Sequence, residues 1–550
     1  MANVIKQKRG TSDPGASDLV VGELAINTTD GGVFTKTDGG SVVEVGAGGA
    51  SSLDDLSDAV VKFTTTSTSA SIGIGENALN SDDSSDNENT AVGIGTLESN
   101  TTGPANCAFG RYSLASNTTG FSNIAYGNSS LGNNTTGDQN VAIGTSALGN
   151  NNTTHNGSTA VGYRAARLAA SNYVTAVGYE SALNATASVV CVGYQAGKTA
   201  TSATALTAIG YQAGDAITTG NNNTCVGSAA LGAVSTGTDN TAVGTNAMSG
   251  AATGAFYNTA IGSSTLQNVE YGPNTAVGYN VAPSLTSGTN NVFVGNNTAA
   301  SITTASRNTA MGDDAMRFNT TGATNVALGY YALKSNTTGS SSTAVGGYAL
   351  KAQNTGYNNT AIGTSCLTAL TTGYNNYAAG MNAAKLATTG YGNTSVGYQA
   401  AENLTTGSNN TSLGYDAKPS SATSDNQVTL GNVFVSSLRC NQQTISSLSD
   451  GRDKIDVEDL PVGLDFIDSL RPVKFQWQTR DGNSKDGTYD AGFIAQDLQS
   501  AQLQSDAEYL GLVLDENPNR LEASYGKLVP MLVKAIQELK SEVEQLKANA

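Results

Sequence analysis

Hydrophobic and polar positions alternate along this chain in short bursts that return at a fixed interval. Each burst is three residues followed by a glycine, as in NVAIG (140–144), NTAVG (240–244) and NVALG (325–329). The glycines run from Gly75 through Gly127 and Gly144 to Gly397, Gly414 and Gly431, 22 in all. Their 21 intervals cover 356 residues, a mean near 17, and the last eight are 17 each. The third residue before the glycine is often β-branched, as at Ile124, Val141, Thr241, Val292 and Val326, and the residue just before it is apolar. A period of two with β-branched residues predicts one short strand per repeat. The β-branched and apolar pair shares one strand face, and the alanine between them points the other way. The expectation is that stacking buries the β-branched face, while glycine and alanine line an outer face suited to close approach of neighbouring chains.

The rest of each unit reads as turn. In N-T-T-G the asparagine can bond its own backbone and the glycine supplies positive φ. A second apolar anchor lies three and four residues after the repeat glycine, at Ala147–Leu148 and Ala332–Leu333. It reads either as another strand or as a short helical turn. One unit cannot bury a strand face alone, but stacked units can. The fold class is therefore mainly β, with a stacked β-solenoid or β-roll shaft over residues 72–431. At roughly 4.8 Å per rung the shaft is about 100 Å long. The motif resembles the head repeats of trimeric autotransporter adhesins, and the resemblance implies a trimeric β-roll architecture without that family's biology.

Composition narrows the function. A net charge of −17 argues against nucleic acid, which asks for a basic footprint. The basic start MANVIKQKRGTSDPG lacks the apolar run of a signal peptide, and no stretch approaches a membrane span. Folding in a cytoplasm and no membrane insertion are expected. The five cysteines (Cys107, Cys191, Cys225, Cys366 and Cys440) show no paired spacing and read as small buried residues. Cys191 and Cys225 share a repeat position two rungs apart, beyond disulfide reach. With His155 the only histidine, neither a metal site nor a histidine-based triad is expected, and no cofactor.

Three motifs in the shaft invite over-reading. GYQAGKT (193–199) has three residues between its glycines where a phosphate-binding loop needs four. The N-T-T triplets match a glycosylation acceptor but are accounted for as turns. The neighbouring carboxylates Asp82–Asp83 and Asp313–Asp314 read as turn residues rather than a glycan-cleaving pair.

The ends differ from the shaft. Residues 1–50 contain strand-like runs broken by TTDGG and TDGG. GELAIN and VFTK there resemble the N-terminal attachment segment of phage fibre and structural proteins. ASSLDDLSDAVVKF (50–63), overlapping the linker expected at 51–71, reads as a linker with one short helix. Residues 432–449 connect the shaft to a distinct domain at 450–550. That domain has 11 Lys+Arg and 19 Asp+Glu, against 11 and 16 in the much longer 71–445, and holds the only tryptophan, Trp477. Its last helix spaces Val529, Leu532, Ile536, Leu539, Val543 and Leu546 as a coiled-coil seam.

Four ordered segments, SDGRDK (449–454), LRPVKFQW (470–477), GFIAQDL (492–498) and YGKLVPMLVKAIQEL (525–539), closely resemble the intramolecular chaperone of endosialidase-type phage tailspikes and fibres. The resemblance implies an α+β domain that trimerises, assists folding of the preceding fibre and is removed by self-cleavage. The cut corresponds to Ser449–Asp450, and the serine–lysine dyad to Ser449 and Lys454. Gly451 stands where the family often has a basic residue. The chemistry adds a constraint. A lysine acts as base only when its amine is partly neutral, and Asp453 and Asp456 favour the charged form. Attack by Ser449 on its own carbonyl would close a four-membered ring, so Ser449 orients the site, acts across chains or activates water.

The expected protein is a homotrimeric phage virion fibre, tail or capsid, assembled in the bacterial cytoplasm. It is anchored through its N-terminus to a virion protein and contacts a host-surface glycan or protein. Its only enzymatic activity would be autoproteolysis. The alternatives are a fibre that depolymerises polysaccharide and a cellular trimeric adhesin.

Overall fold

The computed structural model describes residues 7–10, 24–27, 33–36, 42–45, 61–63, 71–83, 87–149, 154–435, 437–439, 449–479, 485–515 and 517–549. The chain divides into two compact units, Met1–Asn297 with Ser301–Ala305, and Thr298–Ala300 with Ser306–Ala550. Each contains a stack of rungs built to one plan.

In the first unit, Ile124–Tyr126 pairs in parallel with Val141–Ile143, which pairs with Thr159–Val161, so that Ala125, Ala142 and Ala160 lie side by side. In the second, Val326–Leu328, Thr343–Val345 and Thr360–Ile362 repeat the arrangement around Ala327, Ala344 and Ala361. The 17-residue period is thus one rung with one three-residue strand.

The strand faces are inverted relative to the sequence expectation. The alanines point inward and are fully buried, while Ile124, Tyr126 and Ile143 are 46%, 60% and 40% exposed. The cause is the width of the interior. Leu131, Leu148, Leu333 and Leu350, from the turn halves, fill it and are buried. At Gly73, which holds the alanine slot of its rung, an added Cβ would already lie 3.3 Å from Leu79 Cδ1. A methyl fits there; an inward row of isoleucines would not. Where the slot residue is larger, the opposing position shrinks. Cys191 Sγ lies 2.4 Å from where a Cβ on Gly197 would sit, and buried Phe293 shares its region of the stack with Ala282 and Ala299 in place of leucine.

The second apolar anchor is neither strand nor helix. It is a run of overlapping turns, with Ser130 N–H bonded to Gly127 O, Gly132 N–H to Ser129 O and Asn134 N–H to Leu131 O. Ser129 and Leu131 are left-handed, at φ 55° and 49°. Such residues cost about 1–3 kcal/mol each. Bonds to the neighbouring rungs offset this: Ser129 N–H reaches Arg111 O at 2.9 Å and Leu131 N–H reaches Ala147 O at 3.0 Å. The repeat glycines form their own column. Gly144 has φ 128°, and a Cβ on it would lie 2.5 Å from Gly162 O, so only glycine fits.

Buried asparagines complete the interior. Asn123 Nδ2 donates to Asn106 Oδ1 and Gly137 O, and Asn123 Oδ1 accepts from both nitrogens of Asn140. Asn376 and Asn393 continue the device in the second unit. A second column, Asn100–Asn117–Asn134, carries 2.9 Å side-chain bonds between rungs. Ile217, Val234, Leu370 and Leu404 take that register in other rungs, so the column tolerates an amide ladder or an aliphatic stack.

At the N-terminus, Gln7–Gly10, Leu24–Asn27, Val33–Lys36 and Val42–Val45 form a sheet in chain order, the first pair parallel and the others antiparallel. Of the expected linker, Val61–Phe63 is a strand antiparallel to Ile72–Ile74, not helix, and residues 51–60 lie outside the described residues.

After the last repeat strand, Val428–Leu430, the second unit contains an α+β domain. Helices α1 (Leu464–Ser469), α2 (Ala495–Gln504) and α3 (Val529–Ala548) accompany the hairpins Val473–Gln476 with Tyr489–Gly492 and Val513–Leu514 with Glu522–Ala523. The core gathers Phe466, Ala501, Ala507, Leu512, Leu528 and Met531.

Candidate functional site

The charged segment 449–459 is exposed throughout. A single 3₁₀ turn, Gly451–Asp453, organises its start. Asp450 caps the turn by accepting from Arg452 N–H at 2.9 Å, and the Arg452 guanidinium grips the same carboxylate, Nε lying 3.1 Å from both oxygens. The Arg452 side chain, then its backbone N–H, holds the Asp450 carboxyl below its ordinary range. Backbone bonds from Asp453 N–H to Asp450 O and from Lys454 N–H to Gly451 O close the turn.

This turn brings together the two sequence-expected site residues. Lys454 Nζ donates to Ser449 Oγ at 2.6 Å, across five positions of chain. The Ser449–Asp450 bond therefore lies between a serine hydroxyl held by an ammonium and an aspartate held by a guanidinium. Neither Asp453 nor Asp456 forms an ion pair with Lys454 among the described residues. The Arg452–Asp450 clamp is a feature sequence reasoning missed; its signal was D-x-R, an acidic cap two residues before a basic side chain. Gly451 is not required by space, since a Cβ there meets nothing within 4 Å.

The other expected segments converge around the domain core. LRPVKFQW runs from the end of α1 into strand Val473–Gln476, and GFIAQDL runs from strand Tyr489–Gly492 into α2. Arg471 and Asp497 join the two segments by a 2.8 Å ion pair. Tyr525 Oη, from the fourth segment, accepts from Phe493 N–H at 3.1 Å. Glu538 of α3 accepts from Leu464 N–H at 2.6 Å and so caps α1. The expected seam is present on α3, with Val529, Ile536 and Leu546 57%, 66% and 70% exposed, while Met531 and Ala535 face the core.

Elsewhere the titratable groups have structural explanations. Lys198 of GYQAGKT pairs with Glu180 at 2.9 Å, and Gly197 makes room for Cys191. At Asp314 burial pushes the carboxyl pKa up, but bonds from Lys334 and Arg317 outweigh this and leave it below its ordinary range, unsuited to acid catalysis. Asp82 and Asp83 both accept from Asn87. Cys191, Cys225 and Cys366 are free and buried, and burial pushes Cys191 and Cys366 up to about 12. Cys440 lies outside the described residues. Among the described residues no group of three or more metal-ligating side chains gathers, and no helix is long and apolar enough to cross a membrane.

Comparison with known proteins bears on this domain. Residues 449–507 match the family model described as Chaperone of endosialidase. The match begins at Ser449 and ends before the hairpin that leads into α3. No curated protein and no solved structure matches the chain.

Proposed function

We propose that the chain is a fibre of a bacteriophage virion, carrying a C-terminal intramolecular chaperone that releases itself by cutting between Ser449 and Asp450. The observation that carries this reading is the 2.6 Å contact between Lys454 Nζ and Ser449 Oγ, at the first residues of the segment matched by the endosialidase-chaperone model. The stacks of short parallel strands suit a projecting structural shaft. Three copies assemble, the N-terminal sheet attaches to a virion protein, and the shaft presents itself to a glycan or protein of the host surface.

Cleavage adds water across the Ser449–Asp450 peptide, leaving a carboxylate on Ser449 and an amine on Asp450. Ser449 does not attack its own carbonyl, for the ring would have four members. Ser449 and Lys454 instead position a water or present the hydroxyl to a second copy. The 3₁₀ turn and the Asp450–Arg452 clamp hold the scissile residues in place, which is the positioning part of catalysis.

Mass spectrometry of the purified protein tests the reading. Two products, 1–449 and 450–550, are expected from wild type. Ser449→Ala and Lys454→Met should leave the chain intact, with the same native copy number before cutting. An intact wild-type chain after folding, or equal processing in Ser449→Ala, overturns the cleavage.

A further inference from the structure

The inverted strands leave an apolar face that the single chain does not cover. Its outward positions are the third and first residues before each repeat glycine. Among the described residues, fourteen repeat strands of the first unit and eight of the second present it, from Ile72–Ile74 to Val428–Leu430. None of those positions is charged, although residues 71–445 contain 11 Lys+Arg and 16 Asp+Glu. The face is therefore continuous along each stack, mostly aliphatic or threonine with Cys107, Phe109, Tyr126, Met311 and Tyr377 among its other members, and free of charge.

Aromatic columns border it. Tyr163, Tyr179, Tyr194 and Tyr211, each next to a repeat glycine, stack with ring centroids 5.2 Å apart. On the other edge, Tyr357, Tyr374 and Tyr391 precede their strands and stack at 5.0 Å. Depletion of charge at the centre with aromatic residues alongside is the anatomy of a protein interface. The area suffices. Strands about 10 Å long and roughly 4.8 Å apart give about 600 Å² in the first unit and about 350 Å² in the second. A stable interface needs roughly 800 Å² per partner.

We propose that this β-branched strand face is the surface by which copies of this chain assemble, rung beside identical rung, around a common axis. The inference rests on the proposed fibre and names the surface that builds it. The occupant is another copy because a face repeating every rung is matched by a partner with the same rise. With the same polarity, the exposed seams on α3 can also meet as a parallel coiled coil, which sets the copies side by side. The surface is the opposite of the glycine and alanine face expected from the sequence.

Cys107 offers a test without disturbing the face. It is the outward first residue of strand Cys107–Phe109 and half-buried, whereas Cys191, Cys225 and Cys366 are buried. In a Cys440→Ser chain, a bis-maleimide with a spacer of about 10 Å, the spacing of packed sheets, should link Cys107 between copies. A two-chain band under denaturing conditions is expected, and its loss in Cys107→Ser. Independently, Val177→Lys with Val226→Lys should shift the native mass from three chains to one while the far-ultraviolet circular dichroism stays β. Thr219→Lys, on an exposed turn, should leave three chains. Three chains with no Cys107 link, or three chains in the double lysine variant, overturn this face and leave the fibre reading standing. One chain in wild type overturns the assembly and the face together.

Discussion

Single residues carry the stack because each defect is felt by two neighbours. Asn123 satisfies the carbonyl of Gly137 and the backbone N–H of Asn140 as well as its own amide. Asn123→Ala should orphan the buried Asn140 N–H, while Gly137 O keeps its bond from Asn134 Nδ2, and cost about 1–3 kcal/mol. The check is the half-life of unfolding in guanidinium, since a stack of this size is governed by its unfolding rate. His155 is a different kind of defect. It is buried where preceding rungs have glycine, and its Nδ1–H donates to Ser171 O at 3.2 Å. Burial holds its pKa below the ordinary 6.5, with the Ser171 bond opposing. The folded chain thus takes up the proton less readily than the unfolded one. Stability is full above 6.5 and falls as pH drops below it. Thermal unfolding between pH 7.5 and about 5 should show a loss for wild type that His155→Gly, which restores the glycine of neighbouring rungs, largely removes.

At the scale of elements, the C-terminal domain depends on long-range capping. Helix α1 has six residues and no side-chain cap of its own. Glu538, 74 positions along the chain, accepts a hydrogen bond from Leu464 N–H, and its carboxylate fills the space beside Gly463. A Cβ at Gly463 would lie 2.1 Å from Glu538 Oε2. Glu538→Ala should cost about 1–2 kcal/mol, and Gly463→Ala should be comparably harmful. Trp477, the only tryptophan, reports this domain selectively. Its fluorescence during urea unfolding of the uncut Ser449→Ala chain is the measurement, and an unchanged midpoint in Glu538→Ala would discard the cap. The turn elements of the rungs were legible only as alternatives. Their left-handed leucines are stabilised by bonds to adjacent rungs, and no local propensity announces those bonds.

For the whole molecule, the contacts that matter are made between rungs. Parallel pairing by crossover is slow to nucleate, and an uncovered apolar strand face is an aggregation hazard while it forms. The proposed chaperone, attached in cis, answers both. Once the proposed cut has removed it, unfolded fibre should fail to reassemble, whereas the uncut Ser449→Ala chain should recover. The recovered native mass after dilution from guanidinium decides this, and equal recovery from both would remove the chaperone's role.

The sequence by itself determined the rung. Glycine spacing, the period of two before each glycine and the turn residues that follow are local facts, and a repeat multiplies the first two of them about twenty-fold. It also located the segment around Ser449 and Lys454, because a change from an uncharged repeat to dense charge is visible in composition alone. Only the tertiary structure decided which strand face is the interior. Period two marks two faces without saying which is buried, and the answer depends on how much room the turn-borne leucines leave opposite. Alanine is inside at residues 125, 142 and 160 because the interior is narrow, and isoleucine is outside at 124 and 143 for the same reason. The closing of Lys454 onto Ser449 was likewise a decision of three dimensions, made by one 3₁₀ turn and an aspartate held by its neighbouring arginine.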